Sequence, residues 1–161
     1  MSIELPGWLT EALSLTGMSW PAADEDALFA AAGAWTRYAG ALRDVEAGAT
    51  AAAASVWSVN SGAAVDAFRQ WWADQPRAHL RDDAPGCEAI GVILDLFGAA
   101  TIALKGVYLV QLGVLAASLI EAAATAFVTF GASLDEIPIV TQLVRSALES
   151  AVQDVVYRLL F

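Results

Sequence analysis

Residues 28–56 read LFAAAGAWTRYAGALRDVEAGATAAAASV. Within them Leu28, Ala31, Trp35, Tyr38, Leu42, Val45, Ala49, Ala52 and Val56 recur alternately three and four positions apart. That period of 3.5 residues, sustained over this length, describes a helix with one seam that must meet a partner helix. The small residues of 47–54, Gly48 among them, permit close approach of that partner. Just upstream, the Trp20-Pro21 pair punctuates the chain and Asp24, Glu25 and Asp26 follow. Acidic residues in a first turn suit the positive end of the helix dipole, so the helix is predicted to start there.

Downstream, Asn60, Ser61 and Gly62 break the pattern with residues that tolerate turn or left-handed geometry. Helical spacing resumes with Ala64, Ala67, Phe68 and Trp71, and two antiparallel helices joined by a tight turn are the economical arrangement. Phe68, Trp71 and Trp72 are expected to anchor the hairpin interface, with Trp35 and Tyr38 facing them from the other arm. The polar stretch 75–86, with Pro76, His79, Asp82, Asp83 and Pro85, reads as a connection or a broken helix. It divides a hairpin half, residues 1–75, from an apolar helical extension, residues 87–161, within a single domain.

In the extension Gly91, Gly98, Gly106 and Gly113 recur every seven to eight residues. Glycine costs about 1 kcal/mol per helical position, so the spacing predicts a neighbouring helix close to each. Being apolar on nearly every side, this segment is expected to be the central element, covered by several neighbours. Gly131, Ser133 and Asp135 mark a stop and a new cap, and a last helix carries Val140, Val144, Ala147, Ala151 and Val155 on one face. It reaches Phe161 without a stop signal, as if the chain continued. Strand signals are almost missing, and the fold class is all-α: a helical hairpin extended by further long helices into an elongated bundle, more than about two-thirds helical.

Composition narrows the function. Of 161 residues, 58% are apolar and 16% charged, too hydrophobic for a disordered tail. Eight Lys and Arg against 18 Asp and Glu leave a formal charge of −10, a field that repels phosphate and excludes a nucleic-acid partner. A lone cysteine, Cys87, closes no internal disulfide, and a lone histidine, His79, builds no His-based zinc site. His79 sits in the polar connector without a nucleophile, and acidic neighbours discourage the Cys87 thiolate. No carboxylate spacing suits a metal, and no glycine-rich phosphate loop is present. The sequence therefore predicts no catalytic residue, cofactor or metal. The start of the chain lacks a basic region followed by an apolar one, so export by a cleaved signal peptide is not expected. Between Asp95 and Glu121, Lys105 is the one charged residue, and the uncharged run 106–120 is shorter than the ~18–20 residues of a spanning helix. A core helix is expected there, with membrane insertion as the alternative.

The Leu5-Pro6-Gly7 opening, Trp20-Pro21 ahead of an acidic cap, Trp35 in an Ala-rich helix, and Asn60-Ser61-Gly62-Ala63-Ala64 leading to Ala67-Phe68 and Trp71-Trp72 form an ordered string. It resembles the actinobacterial WXG-like amino-terminal domain of type VII secretion substrates, which heads polymorphic toxins and outer-membrane-channel-like necrotoxins. In that family a Trp-x-Gly turn joins two helices. Here Gly62 matches the glycine, Asn60 replaces the tryptophan, and Trp57 stands one helical turn earlier. The family's Tyr-x-x-x-Asp/Glu export signal is absent, since Tyr38, Tyr108 and Tyr157 are followed four residues on by Leu42, Leu112 and Phe161. The resemblance implies a non-enzymatic secretion-targeting domain that meets a helical partner protein or a second copy of itself. It also implies recognition by a secretion ATPase, a cytoplasmic origin, and release or surface display without a signal peptide. The partner would supply the missing export signal.

Overall fold

A computed structural model of the chain describes residues 2–125 and 137–160. Of these, 89% are helical and none lies in a strand, which bears out the all-α expectation. After a short 3-10 turn at Gly7–Leu9 come α1 (Thr10–Thr16), α2 (Glu25–Val59), α3 (Ala63–Asp74), α4 (Pro76–Thr125) and α5 (Ile137–Leu160). The expected stop at Gly131, Ser133 and Asp135 lies outside the described residues.

Local chemistry accounts for the boundaries. Gly17 ends α1 in the left-handed conformation, at φ +67°, that glycine adopts without a Cβ penalty. Glu25 and Asp26 open α2 at the positive end of its dipole. At its other end the Asn60 side-chain amide donates to the Val56 carbonyl at 2.7 Å, satisfying one of the acceptors that a helix terminus leaves open. Gly62, at φ +121°, then turns the chain, and its carbonyl receives the amides of Val65 and Asp66 at 3.0 and 3.1 Å.

Of the two expectations for 75–86, a connection or a broken helix, the structure shows a helix broken at Gln75 and not a loop. Only Gln75 departs from helical geometry, and α4 starts at once with Pro76 in the first helical position, where the missing N–H would have had no partner. Pro85 lies inside α4 and deprives the Arg81 carbonyl of its usual donor. Arg81 and Pro85 are both exposed, so water can reach that carbonyl and the helix continues.

The chain groups into two compact units, one of Met1–Asp26 with Leu96–Phe161, the other of Ala27–Asp95. In the first, Leu9 and Ala12 pack with Tyr108, Leu112 and Leu115 of α4 and with Val144 and Leu148 of α5. Trp20 meets Tyr108 edge-on at 5.9 Å. In the second, Ala39 packs with Ala84 and Cys87 of α4, with Leu42 alongside. Cys87 is thus a buried packing residue.

Candidate interaction surface

The unit of residues 27–95 is a helical hairpin, and its cross-arm contacts define the register. Trp57 meets Phe68 beside the turn at 5.9 Å. Farther along, Glu46 accepts from Arg77 at 2.7 Å and Arg43 pairs with Glu88 at 2.5 Å. At the far end Gly91 approaches Ala32 and Thr36 so closely that a Cβ there would lie 3.1 Å from the Ala32 carbonyl oxygen and 2.9 Å from the Thr36 hydroxyl. The second arm is therefore α3 followed by the start of α4, antiparallel to α2.

This register separates residues that sequence spacing had grouped. Asn60, Ser61 and Gly62 lie between α2 and α3 and are exposed. Phe68 touches Trp57 and stacks on Trp71 at 6.0 Å, and the Arg69 guanidinium lies 5.5 Å over the Trp57 ring. Trp72 is half-buried, with an indole N–H that meets no acceptor, while Trp71 is exposed. Trp35 and Tyr38 do not face these residues. Helical rise places Trp35 some 36 Å along α2 from Val59, so the two sets sit near opposite ends of the hairpin. Trp35 and Tyr38 instead contact each other edge-on at 6.2 Å and are exposed, flanking with Ala34 a shallow depression.

The seam also differs from the expected one. Ala32, Ala39 and Ala53 are buried, whereas Trp35, Tyr38, Val45 and Val56 are exposed. Close approach of α4, through Ala84, Cys87 and Gly91, admits only small side chains on α2, and the bulky ones turn outward. Among the tryptophans, Trp8, Trp35 and Trp71 are exposed.

A buried polar cluster that sequence spacing did not single out organises the other unit. Lys105, 2% exposed, donates to Glu25 at 2.6 Å and to the Ser2 hydroxyl at 3.1 Å, with its ammonium 5.9 Å over the Trp20 ring. Glu25 also accepts from Ser2 at 3.0 Å and from the Ile3 amide. The Ile3 amide and the Lys105 ammonium hold the Glu25 carboxyl down from 4.5 to about 2, against a burial that pushes the other way. The cluster ties the start of the chain to α2 and the middle of α4. Its sequence signal was Lys105 itself, since a lone charge in a long apolar helix needs a carboxylate if that position is buried.

Among the described residues, nothing covers the opposite side of α4 between Leu96 and Val114. Tyr108, Leu112 and Leu115 point into the core, while Leu96, Val107, Val110 and Val114 are exposed. Among the described residues, expected neighbours at the glycines are found for Gly91 but not for Gly106 and Gly113, above which nothing lies within 4 Å. The helix is thus covered on one side rather than all round. It lies in a helical stretch long and apolar enough to cross a membrane by length and composition. Among the described residues, no group of three or more His, Cys, Asp or Glu is placed to hold a metal ion.

These features are an antiparallel helical hairpin with a glycine turn and apolar helix faces left outside the core. Residues 3–145 match the model of the WXG100 like domain, and the chain belongs to that family. It is thereby a helical protein associated with type VII secretion, from a family whose members typically form hairpin dimers with partners and are not typically enzymes. Neither a curated protein nor a solved structure matches the chain.

Proposed function

We propose that this chain is a non-enzymatic secretion-targeting and protein-interaction domain, the amino-terminal trafficking module of a larger secreted toxin. The observation that carries this reading is the family match over residues 3–145, with the uncovered apolar faces supplying the means of recognition. Asn60, Ser61 and Gly62 set the turn. Phe68, Trp71 and Trp72 form an aromatic patch beside it, and Trp35 with Tyr38 a second patch at the hairpin's far end. A helical partner docks on such surfaces through apolar residues at helical spacing. The complex is then read by a secretion ATPase and leaves the cytoplasm without a cleaved signal peptide. No Tyr-x-x-x-Asp/Glu string lies within residues 1–161, and a partner carrying one contributes that signal.

The test is export of a reporter fused after residue 161 in a host with an active type VII system. Export that stops when the ATPase is inactivated, and that falls when Trp71 is changed to Glu, supports the reading. Retention of the reporter with the system intact defeats it.

A second reading, insertion of α4 into a bilayer, is favoured by that helix's length and apolar character. Against it, Lys105 would have to leave Glu25 or carry it into hydrocarbon, and a central charge costs about 2.5–3.5 kcal/mol on insertion scales. Flotation with liposomes separates the two readings.

A further inference from the structure

We infer that the face of α4 bearing Leu96, Val107, Val110 and Val114 docks a helix from a different protein, one whose apolar stripe is edged by lysine or arginine. The inference rests on the reading of the chain as a partner-binding domain and supplies the partner's chemistry.

Three observations support it. At 100° per residue the four side chains fall in a sector about 60° wide, and at 1.5 Å per residue they span about 27 Å. All four are exposed, Val110 at 65%, directly across the helix from Tyr108 and Leu112. A face of that length is a helix-sized strip. Gly106 and Gly113 flank it with nothing within 4 Å, unlike Gly91, whose missing Cβ makes room for α2. Glycine weakens a helix relative to alanine, and among the described residues nothing lies close enough to make use of these two. A second helix approaching from outside would.

Charge chooses between occupants. Seven of the eight Lys and Arg residues are in ion pairs with carboxylates of the same chain. With 18 acidic residues in all, the surface carries surplus negative charge, and the charged residue falling on this face is Glu121. Two copies, each at −10, would repel as they met along it. An anionic lipid surface would be repelled for the same reason. A helix with cationic edges is attracted instead, and gains specificity and on-rate from the match.

The experiment measures fluorescence anisotropy with two labelled helical peptides that share one Leu/Ala face, edged by lysine in one and glutamate in the other. Wild type is compared with V110K, a change at an exposed position whose helicity is checked by circular dichroism. The inference expects at least about tenfold tighter binding of the lysine-edged peptide, weakening as salt rises, and about a tenfold loss in V110K. Equal binding of the two peptides, absence of binding, or binding unchanged in V110K overturns it. So does a homodimer by light scattering, or flotation with phosphatidylcholine vesicles, that wild type shows and V110K loses. ATPase-dependent export is a separate readout: if it persists while the peptides are not discriminated, this inference fails and the secretion reading stands.

Discussion

Replacing Gly91 with alanine tests the hairpin at its tightest point, and the sign of the effect is the informative quantity. In an open helical position the change is stabilising by about 0.4–1 kcal/mol, because alanine restricts the unfolded chain and suits the helix. Gly48, on α2 with nothing within 4 Å, is such a position in the same unit and serves as the control. At Gly91 the new methyl would sit 2.9 Å from the Thr36 hydroxyl and 3.1 Å from the Ala32 carbonyl oxygen. The hydroxyl is itself bonded to that carbonyl at 3.1 Å and would lose the bond by rotating away, and the carbonyl belongs to the backbone and does not yield without moving α2. Overpacking of this kind costs about 1–3 kcal/mol, which outweighs the helix gain. Urea unfolding followed by circular dichroism should thus show G48A more stable than wild type and G91A less stable, the two separated by roughly 1–3 kcal/mol. Adding T36A to G91A should recover part of the loss by removing one of the two contacts. If G91A is as stabilising as G48A, α4 does not approach α2 there and the register of the hairpin is wrong.

Other outcomes follow from the same geometry. G62V should lower stability by roughly 1–3 kcal/mol in urea titrations, because φ +121° is strained for a β-branched residue; an unchanged midpoint would remove the case for a glycine-specific turn. Glu25, held down to about 2 in the folded chain, contributes stability that is fully present above its ordinary value of 4.5 and is lost as pH falls through that interval toward 2; melting temperatures of wild type and E25Q between pH 6 and 2 should converge on acidification, and parallel curves would refute the assignment. L112A, which empties a fully buried site, should cost about 2–5 kcal/mol, whereas V110A on the uncovered side of the same helix should change stability by less than about 0.5 kcal/mol; equal losses would mean that face is covered within the chain.

How far the fold could be read depended on the kind of signal each residue gave. Backbone chemistry was legible: Asn60, Ser61 and Gly62 and the acidic start at Glu25 are local preferences, and the turn and helix start stand where they indicated. Pro76 and Pro85 misled because proline was read as punctuation, although the first helical position welcomes it and an exposed turn tolerates it. The seam misled for another reason. Periodicity detects large apolar residues, but the contact between α2 and α4 is so close that alanine and glycine occupy it, leaving Trp35, Tyr38 and Val45 outside. A 3.5-residue repeat gives the direction of a helix face only if the largest residues are the buried ones, and at alanine-rich interfaces that premise fails.

The two faces of α4 carry the same lesson toward function. From residue 96 to 120 both are apolar, and composition alone cannot say which one is core. Lys105 could have: a solitary ammonium is either solvated or buried against a carboxylate, and its position opposite Val110 on the helical wheel makes those two faces alternatives. Had Lys105 been solvated, the valine side would have been the core and the lysine side, with Tyr108, Leu112 and Leu115, the exposed one. With Lys105 buried against Glu25 and Ser2, the helix turns its valine side outward instead. The ion pair therefore does more than satisfy a charge. It fixes the rotation of α4 so that Leu96, Val107, Val110 and Val114 stay exposed, and substitutions that release Lys105 should disturb docking on that face without touching it.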